Sequence, residues 1–432
     1  MNPSPEILRG AILHTPRNPF LHDQALEAFA DGALALAEGR ILAAGDYSCV
    51  RAALPDAAVR DWRGSAILPG FIDTHVHFPQ TRIVGGLGRP LLDWLEQCAL
   101  PEEARMADPS YAAGVARQFV RDLARHGTTT ALVFGAHFAE ATSLLFQAAC
   151  AAGIRVASGL VLSDRRLPDS LLQSPDAAYR ASRELIARYH GKGGQRYAVT
   201  PRFALSSSEA MLEVCGALLR EHPGLLFQTH LNENPQEVSE VRAAFPWAGD
   251  YLAVYERYGL AGPRSVFAHN VHATDPELQR LSAARSFVAT CPCSNAVLGS
   301  GIFPMRRHLA AGVPFALGTD VGAGTGFGIA KEALASYMTQ RLLPDGMPLA
   351  PQHLLYLATR AGAEALALAD QTGDFTPGKS ADLVRWTPPE DSPLASAMAS
   401  AETPERLLSA LLTQAGAESV REVWVGGKPV SL

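Results

Sequence analysis

Residues 66–77 read Ala-Ile-Leu-Pro-Gly-Phe-Ile-Asp-Thr-His-Val-His, an apolar run that ends in two histidines. In an extended strand, residues i and i+2 point to the same face, so His75 and His77 project together. Two imidazoles on one face are suitable zinc ligands. A pair of solvated histidines is the alternative, and the apolar run before them disfavours it. We therefore expect a strand that delivers two metal ligands at its carboxyl end.

Apolar runs alternate with helical stretches through the middle of the chain. The runs lie at residues 66–72, 128–134, 154–162, 197–205, 225–230, 265–269, 287–291 and 314–318. Ala- and Leu-rich stretches separate them, among them 112–126, 206–221 and 276–284. Such alternation favours a parallel sheet with right-handed crossovers, and eight repeats favour closure of that sheet. We predict the α/β class, as a (β/α)8 TIM barrel.

Both ends of the chain instead show short apolar runs broken by turn residues, as in 32–36, 40–45, 381–386 and 422–428. This pattern is typical of short antiparallel strands. We predict that residues 1–69 and 376–432 together form a small β-sandwich domain. Residues 70–375 then form the catalytic barrel.

Composition narrows the class of protein. The 432 residues carry a net charge of −6, with 47% hydrophobic and 19% charged residues, which indicates a globular chain. The acidic balance disfavours nucleic acid or an anionic membrane as partner. No signal peptide or transmembrane run is recognisable. We expect a cytoplasmic protein whose six cysteines are reduced thiols.

Further potential ligands follow the later apolar runs. His230 ends the fifth run, His269 the sixth, and Asp320 follows the eighth. In a barrel of this type the carboxyl ends of the strands meet at one face, where active sites lie. Three or four histidines with one aspartate suit zinc or another divalent transition metal, and iron stays open. Zinc lowers the pKa of bound water to about 7, which is the chemistry of a hydrolase.

The residues 69–77, followed by His230, His269 and Asp320, resemble the amidohydrolase superfamily. The tail at 376–384 is similar to that superfamily's return into its β domain. Some members bridge two metals with a carboxylated lysine on the fourth strand. Only four lysines occur here, and none ends the fourth run. The resemblance therefore implies one metal per chain and points to the deaminases of the superfamily.

Three segments resemble the guanine deaminase branch of that superfamily: residues 77–80, 90–95 and 201–203. The resemblance implies that Gln80 contacts a purine base, that Arg202 holds its carbonyl group and that Phe203 stacks on its ring. The alternatives are a loop residue for Gln80, a salt bridge for Arg202 and barrel core for Phe203. The sequence departs from that branch after Leu95, around Cys98, and His272 has a spacing that is also similar to adenosine-analogue deaminases.

The resemblance also implies a set of roles. We expect His75, His77, His230 and Asp320 to hold the metal, while His269 orients the attacking water. Asp320 then takes a proton from that water, and Glu233 protonates N3 of the base and afterwards the leaving amine. His230, Glu233 and Asp320 also contact the substrate. The alternatives are a helix-start carboxylate for Glu233 and a buried structural histidine for His269.

Other functions remain open at this point. The same site is suitable for 8-oxoguanine, a pterin, an adenosine analogue or an aminotriazine. A catalytically inactive amidohydrolase-like scaffold would lack some of the metal ligands, and this sequence has all of them. A zinc-binding or purine-sensing module would not require Glu233 and Asp320 beside the metal. The unrelated His/Cys/Cys deaminases are excluded because Pro292-Cys293 has no second cysteine at the required spacing. We expect a homodimer, the habit of the family and the commonest symmetric assembly.

Overall fold

The computed structural model describes residues 5–431 of the chain. In chain order its strands are β1 (Glu6–His14), β2 (Glu27–Ala37), β3 (Arg40–Asp46), β4 (Ala58–Pro69), β5 (Phe71–His77), β6 (Thr128–Phe134), β7 (Arg155–Gly159), β8 (Val161–Leu162), β9 (Arg196–Pro201), β10 (Leu226–Leu231), β11 (Ser265–His269), β12 (Phe287–Thr290), β13 (Phe315–Leu317), β14 (Leu383–Trp386), β15 (Val420–Val425) and β16 (Lys428–Pro429). These strands form two separate sheets.

The helices in the described residues are α1 (Tyr47–Ala53), α2 (Leu91–Trp94), α3 (Leu100–Ala104), α4 (Pro109–Arg125), α5 (Ala139–Ala152), α6 (Pro175–Tyr189), α7 (Glu209–Glu221), α8 (Pro235–Ala244), α9 (Tyr251–Glu256), α10 (Asp275–Ala283), α11 (Pro292–Val297), α12 (Met305–Ala311), α13 (Ile329–Leu342), α14 (Pro351–Ala358), α15 (Arg360–Ala365), α16 (Pro393–Ala399) and α17 (Pro404–Gln414). Side-chain capping explains where several helices begin. Asn234 is the N-cap of α8 and Thr274 is the N-cap of α10, each in a capping box. In residues 5–431 no helix combines the length and the apolar character that crossing a bilayer requires.

The second sheet is the barrel, with parallel strands in the order β5-β6-β7-β9-β10-β11-β12-β13 and the short β8 beside β9. The segment just after β13 closes the barrel against β5 through backbone hydrogen bonds, from Asp320 N to His75 O at 2.8 Å and from His77 N to Val321 O at 2.9 Å. Gly318 permits this approach, because a Cβ there would lie 2.7 Å from the Cβ of His75. The predicted α/β barrel is confirmed.

One predicted run spans two strands. Residues 66–72 were expected to be a single barrel strand, but 66–69 end β4 in the other sheet and Phe71 begins β5. The chain passes from one sheet to the other at Gly70, whose added Cβ would lie 2.2 Å from Thr129. An apolar run indicates that its residues are buried, but it does not show to which sheet they belong. The apolar pattern therefore continues without a break where the chain passes from the first sheet into the barrel.

The first sheet joins the two ends of the chain. Its order is β16-β15-β14-β4-β1-β2-β3, with β14 antiparallel and β1 parallel to β4. Trp62 and Trp424 pack edge to face on it, with ring centroids 5.6 Å apart. The seven strands form one mixed sheet from both ends of the chain, as the predicted small β domain requires. The exact bounds 1–69, 70–375 and 376–432 stay a prediction, and residues 1–4 and 432 lie outside the described residues.

Candidate active site

Five predicted residues meet at the carboxyl end of the barrel, and we call them the metal cluster. Two lie on β5 (His75 and His77), one each on β10 and β11 (His230 and His269), and Asp320 follows β13. Potential ligand atoms of His75, His230, His269 and Asp320 all lie within 4.8 Å of one another. His77 Nε2 lies 3.2 Å from Asp320 Oδ1, as does His75 Nε2. The barrel therefore brings together all five residues.

Neighbouring acceptors fix the orientation of two imidazoles. His230 Nδ1 lies 2.6 Å from the backbone oxygen of Arg202, and His269 Nδ1 lies 3.0 Å from Asn295 Oδ1. Because these oxygens accept, each Nδ1 carries the proton and each Nε2 keeps a lone pair for the cluster. The buried Nε2 of His269 has no hydrogen-bond partner within residues 5–431.

Burial sets the protonation of the cluster. It lowers the pKa of His75 and lowers the pKa of His230 well below its ordinary value, with further repulsion from neighbouring histidines. Burial also lowers the pKa of His269 to about 4. Burial alone would raise the pKa of Asp320, but hydrogen bonds from His75 and His77 outweigh it and hold that pKa well below its usual value. Neutral imidazoles and a carboxylate are the forms that bind a metal.

The donor set fits a zinc-type metal ion. It offers imidazole nitrogens and one carboxylate within a small buried volume, and the unpartnered His269 Nε2 faces that volume. Ser294 Oγ donates to Asp320 Oδ2 at 2.6 Å, which leaves Oδ1 toward His75 and His77. The assignment of His75, His77, His230 and Asp320 as ligands, with His269 as the water-orienting residue, stays a prediction.

Glu233 lies beside the cluster. Its Oε2 is 3.5 Å from His269 Nε2, and its buried Oε1 has no hydrogen-bond partner in the described part of the chain. Burial raises the pKa of Glu233 well above its ordinary value, and the charge of Asp320 adds to this effect. The side chain of Glu237 accepts hydrogen bonds from the backbone N–H groups of Glu233 and Asn234, which stabilises the loop that carries Glu233. Burial therefore favours the protonated form of the Glu233 carboxyl group over the ionised form.

A second region, which we call the substrate pocket, opens next to the cluster. It is lined by Gln80, Arg202, Phe203 and Glu233, with Trp94 and Leu298 among the apolar walls. His77, His230 and Asp320 form its floor. A concave site with apolar walls and a few converging polar side chains is typical of small-molecule binding. The structure thus brings Gln80, Arg202 and Phe203 to the same cavity as the metal cluster, while their contacts with a substrate stay predictions.

The sequence reasoning missed Glu103, which lies on α3 behind the pocket. Gln80 Nε2 donates to its Oε1 at 2.8 Å, and Arg202 Nη1 lies 2.7 Å from both of its oxygens. His137 Nε2 donates to its Oε2 at 3.2 Å. A buried arginine at the end of a strand requires a carboxylate partner. This requirement is the signal in the sequence that could have led to Glu103. Trp94, the second missed residue, lies within the segment 90–95 that was compared with the family.

Backbone conformation at the strand ends is unusual. His269, Asn270 and Asp320 have φ values of 70°, 49° and 49°. These values lie in the left-handed region, which residues other than glycine rarely adopt. Such conformations concentrate at functional sites, where the surrounding structure holds them. Here they turn the chain sharply out of β11 and after β13, with the two side chains still directed into the cluster.

The residues that departed from the family pattern lie away from the cluster. His272 Nε2 donates to the backbone oxygen of Ser300 at 2.7 Å, and His272 does not line the substrate pocket. Cys98 is half-buried and packs beside Leu91 and Trp94. Lys192 lies before β9, where its Nζ donates to the backbone oxygen of Ala187. That position is at the opposite end of the barrel from the cluster.

Comparison with known proteins gives the family. Residues 66–430 match the amidohydrolase family. The chain belongs to this family. It is 55% identical to a probable guanine deaminase of Deinococcus radiodurans over 98% of both chains. It is 40% identical to a guanine deaminase of Escherichia coli (strain K12), over 88% of this chain and 87% of that protein.

A solved structure agrees with these relatives. The E. coli guanine deaminase superposes with a TM-score of 0.94, at 38% identity and over 99% of both chains. The match extends over both sheets, since it covers nearly the whole chain. The predicted fold and the predicted membership in the amidohydrolase family are confirmed, and so is the prediction of a hydrolytic enzyme that acts on C–N bonds.

Proposed function

We propose that this chain hydrolyses guanine, with one water consumed and xanthine and ammonia released. The observation that carries this proposal is the shared cavity, which Arg202, Gln80 and Phe203 line together with Glu233 and Asp320. The relatives that match most of the chain bear the same activity in their names. That agreement confirms the sequence-based prediction of a guanine deaminase.

The pocket residues complement the base in polarity and shape. Guanine has a carbonyl oxygen, ring nitrogens that accept hydrogen bonds and a flat π face. The Arg202 guanidinium and the Gln80 amide supply donors, and the ring of Phe203 supplies an apolar face. In the proposed binding mode, the C2 amino group of guanine is directed toward the metal cluster.

The protein residues divide the proton transfers among themselves. When bound, a zinc ion supplies a water of lowered pKa at neutral pH. Asp320, ionised, accepts a proton from the attacking water, and His269 holds that water by a hydrogen bond. Glu233, protonated, donates to N3 as C2 becomes tetrahedral, and a proton then passes to the leaving amine, which departs as ammonia. Arg202 holds the carbonyl group of the base in the substrate and in the transition state alike, so it contributes to binding.

Several finer properties belong to the same proposal. The metal is one zinc ion per chain, with iron as the alternative, supported by the histidine and aspartate donors and the absence of a lysine at the end of the fourth barrel strand. The protein works as a cytoplasmic homodimer in purine catabolism. Its ligand is a small purine base and neither nucleic acid nor membrane.

Purified protein with its native metal tests the proposal. Metal content is measured first, and guanine loss is followed by ultraviolet absorbance together with ammonia release. Adenine, 8-oxoguanine and cytosine are assayed in parallel under the same conditions. About one metal per chain, with guanine the best substrate by far, supports the proposal. Metal-loaded protein that leaves guanine intact and deaminates another amine refutes the choice of substrate and retains the chemistry.

A further inference from the structure

Glu103 connects parts of the molecule that are distant in the chain. It lies on α3 and contacts Gln80 after β5, His137 after β6 and Arg202 after β9. Its side chain is 2% exposed and that of Arg202 is 3% exposed, so water does not satisfy this network. Neither Glu103 nor His137 lines the substrate pocket, whereas Gln80 and Arg202 do. Glu103 therefore stands behind the two residues that face the substrate.

The contacts fix which atoms reach the pocket. Both Glu103 oxygens hold Arg202 Nη1, and within residues 5–431 the remaining donors of that guanidinium, Nε and Nη2, have no side-chain or backbone partner. Glu103 Oε1 also accepts from Gln80 Nε2, while Gly322 N donates to Gln80 Oε1 at 3.0 Å. The Gln80 amide is thus held from both ends in a single orientation. Its second N–H remains available to a ligand.

Charge balance supports the same conclusion. Burial alone would raise the pKa of Glu103, but Arg202 and His137 outweigh it and hold that pKa below its ordinary value. The ionised form of Glu103 is thus favoured, and its charge compensates that of the guanidinium. A buried guanidinium without such a partner is costly and turns toward whatever water or acceptor it can reach.

We propose that Glu103 is the positioning residue of the substrate pocket, which holds Arg202 and Gln80 in the orientations from which they bind the purine. The inference rests on the proposed function and adds to it a residue that does not itself touch the substrate. Glu103 acts on binding of the base, because the residues that it holds contact the ring and carbonyl and not the reacting amino group.

Glu103→Gln tests the proposal because it removes the charge and keeps the size of the side chain. We expect KM for guanine to rise about 10- to 100-fold, the size of a lost hydrogen bond to a charged group, with kcat within about threefold. Glu102→Gln is the matched control on the same helix. Glu102 is also buried, but within residues 5–431 its side-chain hydrogen bonds go to Arg105 and Tyr111 and not to Gln80 or Arg202.

A double-mutant cycle with Arg202→Met separates positioning from general support of the fold. If Glu103 acts through Arg202, adding Glu103→Gln to Arg202→Met changes KM by less than about threefold. This comparison still applies if Glu103→Gln alone does not fold, since the double variant has no unpaired buried charge. Melting temperature and metal content are measured for every variant.

Three outcomes overturn the proposal. They are an unchanged KM in Glu103→Gln, equal effects of that change in both backgrounds, and a loss confined to kcat that follows melting temperature or metal content. Failure of the proposed function looks different, because the wild type and Glu102→Gln then leave guanine intact. That result would overturn both proposals.

Discussion

The metal cluster and the substrate pocket share one cavity but are built in different ways. Every residue of the cluster lies on or just after a barrel strand, and its two central histidines on β10 and β11 are oriented by nearby oxygen acceptors. The pocket is lined partly from the segment between β5 and β6, which contributes Gln80 and Trp94. That segment also carries Glu103. The positions of the cluster follow from the barrel, whereas those of the pocket follow from side-chain contacts between loops.

This difference separates two properties of an enzyme. Strand ends are fixed by the hydrogen bonds of the sheet, so a family can retain one hydrolytic centre. Loops that are held by a few side chains can change what the centre accepts. We therefore expect substitutions in the cluster to abolish turnover and substitutions in the pocket to change affinity.

His75→Ala should give the largest effect. It removes one donor from the cluster, so metal content should fall and turnover should drop by more than about 10⁴-fold, beyond the range for a single proton-transfer group. Guanine binding to the pocket should persist, and equilibrium binding measures it. His22→Ala is the control, because His22 is exposed and is not part of the metal cluster. Full metal content together with full activity in His75→Ala would contradict the assignment.

Glu233→Gln should retain the metal and lose turnover. Glutamine keeps the shape of the side chain but cannot transfer a proton, so kcat should fall about 10²- to 10⁴-fold. Single-turnover kinetics and metal analysis measure the effect. Glu240→Gln, in the following helix α8, is the control, since Glu240 pairs with Arg166 and Gln236. A kcat within a few-fold of the wild type would exclude the proton-transfer role.

Asn295→Ala should show how far the cluster depends on its surroundings. Asn295 orients His269, and loss of such a supporting hydrogen bond costs about 10- to 100-fold in metal affinity or activity. Metal dissociation and kcat are the measurements. An unchanged kcat and metal affinity would mean that packing alone orients His269.

Phe203→Leu should give the smallest effect of the four. Leucine retains apolar contact but not the aromatic face, and stacking is worth about 0.5–1.5 kcal/mol, or roughly 2- to 10-fold in KM. The ratio of KM to kcat effects is the measurement. A loss of kcat with unchanged KM would place Phe203 in the support of the cluster and not in binding of the base.

The cluster was predictable from the sequence because its signals are local. A strand has a period of two, which gave His75 and His77 one face, and the barrel rule gave His230, His269 and Asp320 a common end. The apolar run before each of these residues also predicted that the residue would be buried. The residue that splits the run 66–72 between two sheets was not predictable, because apolar character does not identify which sheet a residue joins.

Glu103 was not predictable from the sequence because its contacts are not local. The residues 91–107 fold as short turns of α, π and 3₁₀ helix in succession, so no single period describes them. The partner of Glu103 lies 99 residues further along the chain, and only the fold brings Arg202 to it. A sequence pattern can show that a buried arginine needs a carboxylate, but it cannot choose among the acidic residues of the chain.

The sheet that joins both chain ends also affects how the molecule is made. Ser65 on β4 bonds Thr387 just after β14 at 2.8 Å, across a separation of 322 residues. During synthesis β4 therefore emerges long before the strand that covers its open edge. Such distant pairing slows folding, and exposed strand edges invite association with other chains. The nascent chain thus carries an incomplete sheet until β14 and β15 have been synthesised.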